Sequence, residues 1–239
     1  MKKRKTLLAI IALLVVLAVS AVVYAGDYYR ADAAAVAAMA GSDTVTVEQT
    51  GNLTVFLPET AEAGFIFYPG GKVEHTAYAP LLLELAEENI LCVLVKMPLN
   101  LAVLDVNAAE GIPEQFPEVE SWYIGGHSLG GSMAASFAAD HAEDFDGLIL
   151  LASYSTADLS ETELEVLSLY GSEDGVLNME KYGQHRTNLP EDTTEALISG
   201  GNHAQFGGYG YQDGDGEASI TAQAQLAFTL QALLDLIQN

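Results

Sequence analysis

The segment Gly125-Gly126-His127-Ser128-Leu129-Gly130-Gly131 constrains this chain more than any other. It lies between a short apolar run, 121–124, that reads as a strand and an Ala-rich run, 131–140, that reads as a helix. A sharp strand-to-helix turn strains its central residue and presses the flanking backbone against its neighbours, so it needs small residues on both sides. Here two glycines precede and two follow the central His-Ser-Leu. The pattern G-x-S-x-G in this setting presents a serine hydroxyl at the carboxyl edge of a sheet.

A serine hydroxyl attacks at neutral pH only when a base lies within hydrogen-bond reach and a third group orients that base. Around such a turn the chain order is Ser, then Asp or Glu, then His. After Ser128 come His141, His185 and His203. His141 ends the helix that leaves the turn, and His185 falls in the polar run 180–188, so both read as surface residues. His203 follows a strand-like segment, 193–198, and a Gly200-Gly201-Asn202 turn, and is the candidate base. For the acid, 166–170 reads as a buried strand ended by Gly171-Ser172-Glu173-Asp174-Gly175. Asp174 is preferred, with Glu173 and Asp158 as alternatives, although Asp beside Gly is also ordinary turn chemistry.

Acyl transfer also needs donors aimed at a developing oxyanion. One is expected from the backbone N–H of Leu129, the residue after the serine. The other is expected from the loop Pro69-Gly70-Gly71-Lys72 after an apolar strand, 64–68. Its glycines admit close approach, with Gly71 the preferred donor and Lys72 the alternative.

With these residues in place the chain resembles the α/β-hydrolases, closest to the small dienelactone-hydrolase-like and hydrolase fold-5 branch. The stretches that carry the likeness are 67–74, 125–131, 169–175 and 200–207, within a region running from about residue 50 onward. The resemblance implies an α/β fold with a mostly parallel central sheet flanked by helices. It also implies a hydrolase using Ser128, Asp174 and His203. Dienelactone hydrolase has cysteine at the turn where this chain has Ser128, so that substrate does not carry over. Neither cofactor nor metal is expected.

Residues 6–25 carry no charge and are almost wholly apolar, and Lys2-Lys3-Arg4-Lys5 precede them. That length suits a membrane-spanning helix better than a cleavable signal, with the basic cluster inside and the remainder outside the cytoplasm. The alternative is secretion after cleavage near Ala25. The expected organisation is an anchor over 1–26, a stalk over 27–43 with an Ala-rich helix at 27–39, and a catalytic domain over 44–239. All 33 acidic residues follow Ala25, against five basic ones, a balance of −28. Such a field argues against nucleic acid and anionic headgroups as partners of that domain. A small-molecule acyl substrate is expected, with Lys72 and Lys96 as candidates to meet a substrate carboxylate. Solvated lysines are the plainer reading.

Elsewhere the pattern predicts a hairpin from strands at 44–47 and 53–57, a helix over 77–89 and a strand over 90–95 holding the single Cys92. A helical stretch over about 101–110, a strand over 147–152 and a closing helix over 220–237 complete it. Cys92 reads as a small core side chain, so the core and not disulfides must stabilise the fold. Between 152 and 166 there is no room for a helical lid, which predicts an open, shallow site. The segment 207–217 alternates acids with glycines and resembles part of a calcium loop without the full EF-hand pattern. It reads as a flexible loop after the histidine, with Phe206, Tyr209 or Tyr211 walling the pocket. Three functions fit: a serine hydrolase, an extracytoplasmic acyltransferase with the same residues, and a silent binding module. The last is disfavoured because every catalytic position is filled.

Overall fold

The computed structural model describes residues 2–238, without the side chains of residues 2, 3, 5–9, 18, 21 and 22. The basic cluster 2–5 and the apolar run 6–25 thus lie partly outside the described residues. Their backbone belongs to one helix, α1 (Lys2–Gly26). Its described apolar side chains, Ile10, Leu13 and Val16 among them, are exposed and belong to neither core of the domain. Among the described residues no helix is long and apolar enough to cross a membrane. The structure therefore adds no support of its own to the spanning helix expected from the sequence.

After a short helix, α2 (Ala33–Ala38), come β1 (Val45–Thr50), β2 (Leu53–Pro58) and β3 (Ala63–Tyr68). Then follow α3 (Ala79–Glu87), β4 (Ile90–Val95), β5 (Trp122–His127), α4 (Leu129–Asp140) and β6 (Gly147–Leu151). The chain ends with β7 (Glu165–Gly171), α5 (Met179–His185), β8 (Thr194–Ile198) and α6 (Ala222–Ile237). The eight strands form one sheet in the order β1-β2-β4-β3-β5-β6-β7-β8. β1, β2 and β4 pair antiparallel, and every pairing from β4 to β8 is parallel. This is the α/β architecture expected.

Side chains alternate across the strands, so each central strand feeds two cores. Phe65, Phe67, Cys92 and Leu94 pack under Leu81, Leu82 and Leu85 of α3 and Leu233 of α6. Ile66, Tyr68, Leu91, Val93 and Val95 pack under Ala134, Ala135 and Phe137 of α4. Both layers hold the carboxyl ends of β3, β5, β7 and β8 along one edge, where parallel α/β sheets carry their chemistry.

Three expectations meet a different structure. Residues 101–110 form no α-helix, only a 3₁₀ turn at Ala102–Leu104 followed by turns. Pro98 precedes Leu99 and Asn100, both with left-handed backbone (φ 51° and 56°), which stops a helix from entering. The Tyr68 hydroxyl then accepts from Ala109 N–H (2.7 Å) and donates to Val106 C=O (2.9 Å), taking backbone groups a helix would pair internally. The helix expected over 77–89 opens as a 3₁₀ turn, His75–Tyr78, before α3.

Residues 27–43 do not stand off as a stalk. Tyr29 bridges Val73, donating its N–H to Lys72 C=O (2.7 Å) and accepting from Glu74 N–H (2.8 Å). The carboxylate of Asp32 caps α2, its N–H donates to Gly208 C=O (2.8 Å), and Ala35 is fully buried. Between β6 and β7 there is no helix, as the short spacing predicts.

Candidate active site

Ser128 joins β5 to α4 with φ 52° and ψ −122°, a conformation that L-residues rarely adopt and that costs about 1–3 kcal/mol. The flanking glycines make the turn possible. A Cβ on Gly130 would lie 2.1 Å from the carbonyl oxygen of Tyr68 and 2.3 Å from that of Pro69, so the turn closes only because none is there. Ser128 N–H donates to Leu151 C=O (2.9 Å), and its own carbonyl accepts from Ser132 N–H (3.1 Å) and Ser153 Oγ (2.7 Å). Those three bonds offset the strain.

His203 Nδ1 lies 2.9 Å from Asp174 Oδ2, and both side chains are 1% exposed. The other oxygen of Asp174 accepts from the N–H groups of Val176 (2.9 Å) and Leu177 (2.7 Å), which fixes the carboxylate. A carboxylate facing Nδ1 keeps the ring proton there and leaves Nε2 as an acceptor. Nε2 is buried and has no partner among the described residues. His203 and Ser128 line one cavity of about 250 Å³ together with Leu129, Ser153, Tyr154 and Leu177. A larger cavity, about 500 Å³, lies beside Trp122 and Phe137 and contains neither Ser128 nor His203.

The loop after β3 leans on the elbow: a Cβ on Gly71 would meet Leu129 Cδ2 at 3.0 Å. Its N–H groups can be sorted. Pro69 has none, Gly70 donates to Tyr78 Oη (3.0 Å) and Lys72 donates to Asn100 C=O (2.7 Å). Only the N–H of Gly71 stays uncommitted among the described residues, as does that of Leu129 at the first turn of α4. This sorting favours Gly71 over Lys72 as the second donor.

Behind this loop is a pair the sequence reading missed. Tyr78 Oη lies 2.8 Å from His127 Nδ1, and the two rings stand between Gly70 and His203. Burial, and then the nearby His203, hold the His127 pKa well below the ordinary imidazole value, so this ring stays neutral. Burial likewise pushes the Tyr78 phenol up, so it keeps its proton. The Tyr78 hydroxyl therefore accepts from Gly70 N–H and donates to Nδ1 of His127. Gly70 must be glycine for this: a Cβ would lie 2.7 Å from Tyr78 Oη.

Other expected residues lie elsewhere. The Lys72 ammonium sits 3.8 Å over the Tyr24 ring and donates to Tyr24 C=O at the end of α1, away from the cavity. Phe206 is 3% exposed and packs 5.7 Å from the His127 ring, as a floor beneath the histidines and not as a wall of the cavity. Tyr209 is buried with its ring tilted against that of Tyr29 (5.7 Å between centroids), and Tyr211 is exposed. Lys96 belongs to a separate small cavity with His75. Asp158 bonds Ser160, Glu173 bonds Ser172, and His141 stacks on Phe137 (4.2 Å). His185 stacks on Tyr154 (5.3 Å). Ser153 and Tyr154 of the cavity had no sequence signal, since they follow β6 with no motif.

The model of the alpha/beta hydrolase family matches residues 64–227. Among solved structures, a predicted CIB-like hydrolase from Thermoplasma acidophilum superposes with a TM-score of 0.59 at 14% identity, over 80% of this chain and 99% of that one. TT1662 from Thermus thermophilus does so with 0.56 at 16% identity, over 79% and 98%. No curated protein sequence matches. The structural likenesses speak for the fold, and the family match spans more than half the sequence, from β3 through the elbow and the Asp174 and His203 loops into α6. This chain belongs to the alpha/beta hydrolase family.

Proposed function

We propose that this protein is a serine hydrolase of ester or related acyl bonds. The observation that carries the reading is the strained Ser128 sharing a cavity with His203, whose Nδ1 is bonded to the buried Asp174. In this reading Nε2 of His203 takes the Ser128 proton as Oγ attacks the acyl carbon. The N–H groups of Leu129, at the start of α4, and of Gly71, in the loop after β3, hold the oxyanion, aided by the dipole of α4. His203 then returns the proton to the leaving alcohol, and water, deprotonated by the same nitrogen, releases the acid from Ser128. Asp174 keeps the tautomer and stabilises the imidazolium. Neutral His127 adds no positive charge to oppose that imidazolium.

A cavity near 250 Å³ with no lid between β6 and β7 suits a short acyl group on a leaving group that extends into solvent. The test is hydrolysis of p-nitrophenyl esters from acetyl to dodecanoyl by the full chain in mild detergent, beside Ser128→Ala. The expected result is serine-dependent turnover with a short-chain optimum. Equal turnover by the Ser128→Ala protein would refute the assignment.

From the sequence alone, the uncharged run 6–25 behind Lys2-Lys3-Arg4-Lys5 supports a membrane anchor with the domain outside the cytoplasm. Recovery of the chain only in the cytosolic fraction would overturn that part.

A further inference from the structure

The loop between His203 and α6 contains a carboxylate that the mechanism above does not use. Asp215 Oδ1 accepts from the N–H groups of Gly216 (2.9 Å), Gly175 (3.1 Å) and His203 (3.2 Å). Its Oδ2 accepts from Ala204 N–H (2.8 Å). Gly175 follows Asp174, and Ala204 follows His203. One side chain therefore bonds both loops that carry the acid and the base, beyond the point where the paired strands β7 and β8 and the bond from Glu173 N–H to Gly201 C=O (2.8 Å) hold them together. Four N–H groups facing this carboxylate commit Asp215 to the backbone and not to a cation.

The loop is fitted for this task. A Cβ on Gly216 would lie 2.0 Å from Glu173 C=O, and Asn202 Nδ2 donates to Gly216 C=O (2.8 Å). Its near end is held by Asp32 N–H on Gly208 C=O (2.8 Å), and its middle by Asp213 N–H on Tyr29 Oη (3.1 Å). Hydrogen bonds from neutral donors to an ionised acceptor are stronger than neutral ones, which makes a carboxylate the effective cross-link.

We propose that Asp215 is a positioning residue that sets the separation and angle of Asp174 and His203 by tying their two loops to one carboxylate. The proposal rests on the hydrolase reading for its kinetic consequence but not for its structural one. With the full chain in detergent, Asp215→Asn is expected to lower kcat for p-nitrophenyl acetate by about 10- to 100-fold with KM nearly unchanged, the effect of a small misplacement of reacting groups. Exposed Asp213→Asn removes the same charge two residues away and is expected to leave both constants as they are.

The second measurement needs no turnover. The proton between His203 Nδ1 and Asp174 gives a far-downfield NMR resonance, assigned by its loss in Asp174→Asn. It is expected to shift or broaden in Asp215→Asn while the protein still melts cooperatively. A folded Asp215→Asn protein with wild-type kcat and an unshifted resonance would overturn the proposal. If the Asn variant does not fold, Asp215→Glu replaces it: the charge is kept and the reach altered, so an intermediate kcat and a shifted resonance are expected. Wild-type values for both would overturn the proposal. Absence of ester turnover in the wild type would count against the hydrolase reading and leave the resonance to decide the role of Asp215.

Discussion

Ser153 Oγ donates a 2.7 Å hydrogen bond to the carbonyl oxygen of Ser128, so a residue just past β6 braces the strained residue between β5 and α4. Ser153→Ala removes that bond and leaves the carbonyl to Ser132 N–H alone. A loss of about 0.5–1.5 kcal/mol in urea denaturation is expected. A several-fold fall in kcat for ester hydrolysis should accompany it, because the backbone of the proposed nucleophile gains freedom.

Tyr78→Phe keeps the ring against Phe67 (4.8 Å between centroids) and deletes the hydroxyl that serves both Gly70 N–H and His127 Nδ1. Each buried group left unpaired costs about 1–3 kcal/mol. Since Gly70 precedes the proposed oxyanion donor Gly71, the variant should lose kcat as well as stability. A variant with unchanged kcat would separate this network from the site.

His127 gives stability a pH dependence with a definite sign. Its folded pKa lies well below 6.5 because of burial and then of His203, so below about pH 6.5 the unfolded chain binds a proton that the folded chain does not. Stability should therefore fall on acidification from there, by up to about 1.4 kcal/mol per pH unit for this one proton. His127→Asn retains an acceptor for Tyr78 and does not titrate. Urea denaturation at pH 7.5, 6.5 and 5.5 should show a shallower fall for the variant than for the wild type.

Truncation separates two boundaries that the sequence treats alike. A chain beginning at Asp27 keeps Tyr29, Asp32 and the buried Ala35, and should keep ester hydrolysis. A chain beginning at Thr44 loses the bonds to Lys72, Glu74, Gly208 and Asp213. It should lose most activity although Ser128, Asp174 and His203 all remain. Equal activity of the two would show that the segment is dispensable.

What could be read from the sequence is what local chemistry dictates. The elbow declares itself through glycines that a close approach requires, Asp174 and His203 through the turns that end β7 and β8, and the central strands through runs such as 90–95. The missed parts depend on contacts between distant residues. Ser153 reaches Ser128 across 25 positions, Tyr78 reaches His127 across 49, and Asp215 draws in Gly175 across 40. Nothing within any one segment signals these bonds. The helix expected at 101–110 failed for the same reason. Its apolar spacing is satisfied by burying Ala102, Ala109 and Ile112 while Val103 and Leu104 stay exposed, and Tyr68 from β3 takes its backbone bonds.

The bridge from Tyr29 to Val73 also limits reach. Helix α1 ends at Gly26 and the chain is bonded to the domain from Tyr29, which leaves Asp27 and Tyr28 between them, about 7 Å at full extension. A domain on so short a leash stays close to its first helix. The face around Tyr29 and Lys72, where the Lys72 ammonium already sits over the Tyr24 ring, is therefore the face that stays nearest to anything the first helix meets.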